Sequence, residues 1–185
     1  MNKPQQFINL LSRLSRLVNH DGHSKSLKPA QWDAIRYLAQ ANRFSRSPGA
    51  LTIYLGATKG TISQTLMTLE KKGFVAKTQD LHDKRAVALK LTTAGENLAK
   101  EDALKPFQRM LSDLPANEQT DITLALEKLL LAKLRSDGNK PFGICNTCRH
   151  FRKNNQSGSP HFCDLLKEPL CDIESEKICV EQTPA

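Results

Sequence analysis

All five cysteines of the 185-residue chain fall in its last 41 residues, as Cys145-x2-Cys148-x14-Cys163-x7-Cys171-x7-Cys179. Thiolates bind soft and borderline metals tightly, and a two-residue gap lets both sulfurs of Cys145 and Cys148 face one ion. Residues 1–20, broken by polar residues every few positions, do not read as a secretory leader, so the thiols are expected to be reduced or metal-bound rather than paired as disulfides. Cys145, Cys148, Cys163 and Cys179 are the expected metal ligands; Cys163 and Cys179 lie beside the apolar Phe162, Ile178 and Val180. Cys171, in a more acidic stretch, is the spare or alternative ligand. A single Cys-x2-Cys knuckle with Phe142, Phe151 and Phe162 nearby suits structural zinc and an iron–sulfur cluster equally well. His150 and His161 are substitute ligands at most.

The second set of chemistry-bearing residues is polar and basic. Thr58, Lys59, Gly60, Thr61, Ser63, Gln64, Thr65, Thr68 and Lys71 are interleaved with Ile62, Leu66 and Leu69 at helical spacing. Short or amide-bearing side chains opposite an apolar face suit an element lying in a DNA major groove. Gln64 would reach a base edge, Thr61 and Thr65 a base or a phosphate, and Lys59 and Lys71 phosphates. Downstream, Asp83, Lys84 and Arg85 form the tip of a charged turn, where an arginine suits the narrow minor groove.

These residues must be positioned by a helix, a short hairpin and their supports. Helices are expected over residues 5–20, 29–43, 48–55, 59–72, 92–111 and 116–135, with Pro106 interrupting the fifth at most mildly. Strands are expected over 74–78 and 86–91. Thr58 is an N-cap candidate, and Gly56 and Gly73 end the helices that precede them. The fold class is therefore mainly α with a small β-hairpin wing (a winged helix-turn-helix, α+β) plus a small cysteine-rich metal-binding module. The domains are 1–135 for DNA binding and dimerisation, 136–141 as linker, and 142–185 as the metal-binding tail. The last helix carries more leucines than a lone surface helix needs, as an interface between two copies would.

Charge agrees with a nucleic-acid partner. The formal net charge is +8, and residues 1–91 hold 15 Lys/Arg against 5 Asp/Glu, whereas 140–185 hold 6 of each. No apolar run approaches a membrane span, no membrane partner is expected, and the chain reads as cytoplasmic. No paired carboxylates, Ser/His/Asp set or phosphate loop accompanies the cysteines, so it reads as a non-enzyme.

The stretches LGATKGTISQTLMTLEKKGFV and DLHDKRAVALKLTTAG resemble the MarR family of winged-helix regulators over about residues 25–135. The resemblance implies that Thr58–Lys72 is the recognition helix, that Asp83 orients Arg85 in the wing, and that Leu91-Thr92-x-x-Gly95 opens the following helix. It further implies a homodimer on a palindromic operator, usually a repressor, relieved by a small-molecule effector or by oxidation. The leading reading is a dimeric DNA-binding transcription regulator whose tail senses redox state or metal. The alternatives are the same regulator with a purely structural zinc, and a thiolate-cluster electron carrier or enzyme.

Overall fold

The computed structural model describes residues 2–21, 27–79, 87–154 and 158–185. Seven helices and a hairpin come first: α1 Lys3–Asp21, α2 Pro29–Gln40, α3 Pro48–Leu55, α4 Lys59–Lys71, β1 Val75–Gln79, β2 Val87–Leu91, α5 Thr93–Lys100, α6 Lys105–Ser112 and α7 Ala116–Ser136. The C-terminal segment adds β3 Gly143–Ile144, β4 Phe151–Lys153, β5 His161–Cys163, β6 Glu168–Leu170, α8 Asp172–Ser175 and β7 Ile178–Cys179.

Local chemistry accounts for most boundaries. Pro48 opens α3 behind Ser47, whose side chain accepts from the Ala50 amide, and Gly56 ends it in the left-handed region at φ 59°. Thr58 caps α4 by accepting from the Thr61 amide at 3.1 Å. Thr92 caps α5 in the same way, accepting from Gly95 N at 3.1 Å and donating to Gly73 O at 2.6 Å. Gly95 is required there: a Cβ at that position would lie 2.1 Å from the backbone carbonyl oxygen of Phe74.

The expected single helix over 92–111 is two helices. Pro106 has no N–H to continue a helix, and its ring would collide with the carbonyl four residues back. The break at 101–104 lets Asp102 turn inward onto α2, where its carboxylate takes Arg36 Nε at 2.8 Å and Nη2 at 2.7 Å. The first strand starts one residue later than expected, at Val75, and runs to Gln79, paired antiparallel with Val75 opposite Leu91 and Gln79 opposite Val87; Ala86, the expected start of the second, lies outside the described residues.

One apolar core is built from Trp32, Ile35, Leu38, Leu51, Ile62, Leu66, Leu69, Val75, Leu89 and Leu98, together with Ile178 from the C-terminal segment. A second, smaller core holds Cys145, Cys163, Cys179 and Leu170, with Phe44, Phe151 and Leu166 packed against it. By contrast α1 and α7 leave their apolar faces open: Leu10, Leu17, Leu126 and Leu130 are all about half exposed or more. No described helix is long and apolar enough to cross a membrane.

Candidate nucleic-acid interface and cysteine cluster

The helix α4 presents two unlike faces. Ile62, Leu66 and Leu69 are buried against α2, α3 and the hairpin, while Thr58, Lys59, Gly60, Thr61, Ser63, Gln64 and Lys71 are exposed. Thr58 and Thr61 share a hydroxyl contact at 2.9 Å, so Thr58 is first a cap. Thr68 is half-buried and donates its hydroxyl to Gln64 O at 2.9 Å. Thr65, expected to reach a base or phosphate, does not face outward: it is 7% exposed and joins the inward face between Ile62 and Leu69. Asp83, Lys84 and Arg85 lie outside the described residues.

A residue missed by the sequence reading stands beside this face. Lys77 on β1 lines a hollow of about 280 Å³ with Lys59, Ser63, Pro48 and Thr52, and it pairs with Glu70 at 2.8 Å. Its position in an exposed strand register gave no signal of its own. The surface formed by α4 and β1 is polar and cationic, suited to backbone phosphates along a groove.

In the C-terminal segment the thiols gather. Cys145 and Cys148 flank a 3-10 turn closed by Cys148 N donating to Cys145 O at 3.1 Å. The Cys148 sulfur accepts from the Thr183 amide at 3.4 Å. Gly143 on β3 sits opposite Cys179 on β7, which brings the knuckle alongside Cys179, and β5 delivers Cys163. Cys145, Cys163 and Cys179 are buried and Cys148 is half-buried; Cys171 is exposed at the start of α8, away from the cluster core. All five are free thiols.

The cluster's electrostatics are mutual. The hydrogen bond shared with Cys179, together with burial and the neighbouring Cys163 and Cys148, pushes the Cys145 thiol up. Cys179 moves the other way and is pulled down to about 6, because Cys145 first, then the nearby Asn42, the Glu181 amide and Ser45, favour its charged form against the opposing cost of burial. Among the described residues no group of three or more His, Cys, Asp or Glu side chains is arranged to hold a metal ion. What the set has is the donor chemistry: thiols that act on one another, with Phe44 and Phe151 packed against them. His161, a substitute-ligand candidate, is buried and its Nε2 meets Asp172 Oδ1 at 3.0 Å, while its Nδ1 has no partner among the described residues. His150 is half-buried.

Residues 25–86 match the family model described as MarR family. This is the segment that contains α2, α3, α4 and β1. Among solved structures the chain is similar to MepR, described as a transcription regulator of the Staphylococcus aureus multidrug efflux pump MepA, at 19% identity over 71% of this chain and 98% of that one, with a TM-score of 0.56. A MepR–DNA complex from S. aureus matches at 20% identity, 71% and 98% coverage and a TM-score of 0.54. A MarR variant from E. coli matches at 24% identity, 70% and 97% coverage and a TM-score of 0.51. These likenesses establish a winged-helix fold. No curated protein sequence matches the chain.

Proposed function

We propose that the chain is a sequence-specific DNA-binding transcription regulator of the MarR type, acting as a homodimeric repressor on a palindromic operator in the cytoplasm. The observation that carries this is the outward face of α4. Lys59, Gly60, Thr61, Ser63, Gln64 and Lys71 are exposed on a capped 13-residue helix inside the segment that matches the MarR family model. Gln64 reads a base edge, the lysines hold phosphates, and Arg85 with Asp83 and Lys84 supplies the wing contact. The open apolar faces of α1 and α7 support the dimer, since leucines left half exposed in one chain are what two chains would cover.

Selection from randomised duplexes followed by titration tests the reading. The wild type should enrich a sequence with two half-sites, and its affinity should fall steeply with salt. Gln64→Ala should weaken binding to the selected site by about 5- to 150-fold, the worth of one good base contact. Arg85→Ala should weaken it as well. No enrichment, or full affinity in both variants, would overturn the proposal.

Cys145, Cys148, Cys163 and Cys179 are proposed to hold one thiolate-bound centre, whose redox state or metal occupancy the regulator senses. When bound, such a group would cross-link the Cys145–Cys148 turn, β5 and β7. A second reading, a permanent structural zinc, is favoured by one observation: Phe44 from the DNA-binding part is packed into the cysteine core while Ile178 is packed into the other. Metal and acid-labile sulfide analysis of anaerobically purified protein separates these readings. A brown, sulfide-containing protein supports the cluster, and one colourless zinc per chain supports the clip.

A further inference from the structure

A hollow of about 390 Å³ lies where the C-terminal segment meets the winged-helix part. Five cations line it, Arg46, Lys90, Lys100, Lys105 and Lys177, against one carboxylate, Glu96. They come from separate places in the chain: the corner of residues 41–46 that leads into α3, then β2, α5, the start of α6, and the residue before β7. Like charges gathered in this way repel one another unless negative charge offsets them.

The chain itself supplies little of that charge. Among the described residues Lys90, Lys177 and Glu96 form no ion pair. Arg46 uses its Nε on the Ala41 carbonyl at 3.0 Å, and Lys100 holds the neutral Asn97 amide at 3.2 Å. Lys105 feels the charge of Asp102, but Arg36 already grips that carboxylate at both oxygens. Arg46, Lys105 and Lys177 are also half-buried, and a charge withdrawn from water without a partner is costly. Leu38, Leu91 and Ala99 give the same hollow an apolar floor. Its size falls within the roughly 300–1,000 Å³ of small-molecule sites. Lysine ammoniums are compact point charges that serve the several oxygens of a phosphate group.

The hollow is off the DNA-reading face. Lys90 stands opposite Ala76, the neighbour of Lys77, and successive strand residues point to opposite sides, so Lys77 and Lys90 lie on different faces of the hairpin. The hollow beside α4 that Lys77 lines has no lining residue in common with this one. Lys177 instead ties it to the C-terminal segment. Its carbonyl accepts from Cys145 N at 3.0 Å, and the strand that follows it is fastened to the corner, Asn42 N donating to Ile178 O at 2.9 Å and Val180 N to Ser45 Oγ at 2.8 Å.

We propose that this hollow binds a small organic phosphate, which clasps the C-terminal segment to the winged-helix part by joining Lys177 to Arg46, Lys90, Lys100 and Lys105. A ligand that binds only the docked form stabilises docking by mass action. The proposal stands apart from what the cysteines hold and from which DNA sequence α4 reads.

The test is calorimetric titration of the full chain, free of DNA, with phenyl phosphate and with inorganic phosphate at fixed ionic strength. Phenyl phosphate should bind, and more tightly than inorganic phosphate; equal affinity overturns the organic ligand. Lys177→Gln should weaken it about 10-fold, the worth of a charge-assisted hydrogen bond at a half-buried group. Lys90→Gln, at an exposed position, should weaken it about 2- to 5-fold, and stands even if Lys177→Gln fails to fold. Lys3→Gln combined with Lys153→Gln removes exposed charge elsewhere and should leave affinity unchanged. Bound phenyl phosphate should slow hydrogen exchange at the Asn42 and Val180 amides and leave the α7 amides unchanged. No binding, or an equal loss in the Lys3 and Lys153 variant, overturns the site, and binding without slower exchange overturns the clasp. If phenyl phosphate does not bind while Lys90→Gln and Lys177→Gln weaken duplex binding, the hollow is a DNA contact and the proposal falls.

Discussion

At the scale of single residues, the Arg36–Asp102 pair shows how one side chain can decide a helix boundary. Asp102 sits in the break between α5 and α6, accepts from the Leu104 amide at 3.0 Å, and receives Arg36 in a two-pronged grip. Burial alone would raise its pKa, but the Arg36 hydrogen bonds, the Leu104 amide and the nearby charges outweigh it and hold the carboxyl below its ordinary value. A depressed folded pKa gives stability that is complete above the unfolded value of about 4 and drains away as pH falls through the folded one. Asp102→Asn should therefore cost about 2 kcal/mol at pH 7, the worth of hydrogen bonds to a charged group. Denaturant titrations should show the gap to wild type narrowing below about pH 4; a gap that persists unchanged in acid would refute this account. The sequence reading named neither residue, because the partners lie 66 positions apart and no local pattern announces them.

At the scale of elements, α4 and its surroundings were largely legible because caps and periodicity are local signals. Thr58, Gly56, Gly73 and Thr92 end or begin helices where their side chains or glycine backbones allow. Thr65 shows where chemistry was weighed ahead of angle. At about 100° per residue it stands only about 60° from Ile62, within the arc that packs inward, and its hydroxyl gives no licence to face DNA. Pro106, at most a mild interruption by sequence, is a boundary in the structure, since the missing N–H coincides with a tertiary tether at Asp102. The junction of α5 with the hairpin carries the element-scale prediction. Gly95→Ala would drive a methyl group into the Phe74 carbonyl, backbone against backbone. Thermal melts should show a loss of about 1–3 kcal/mol, the usual cost of overpacking, with unchanged DNA affinity in the fraction that stays folded. An unperturbed melting curve would refute the close approach.

At the scale of the whole molecule, the leucine-rich faces of α1 and α7 are left open, and Leu126 and Leu130 are 56% and 58% exposed. Leu126→Glu with Leu130→Glu should yield a monomer in sedimentation at micromolar concentration, because like charges would be buried across a symmetric contact. A wild type that sediments as a monomer would remove the dimer from the proposal. The excess of leucine in α7 was readable in the sequence. The docking of the C-terminal segment was not, because its contacts join Arg43 to Glu168, Glu174 and the Pro169 carbonyl, and Phe142 to Tyr37 and Tyr54, across most of the chain.

That docking also sets an order of assembly. Ser45 and Val180 meet across 135 residues, and closing so long a loop is slow compared with forming the local helices. On a ribosome, α2, α3 and α4 emerge with the place of Ile178 still empty, and the corner that leads into α3 is finished only after every cysteine has been made. The first core and the gathering of the thiols thus both wait for residues 178–180 to be made.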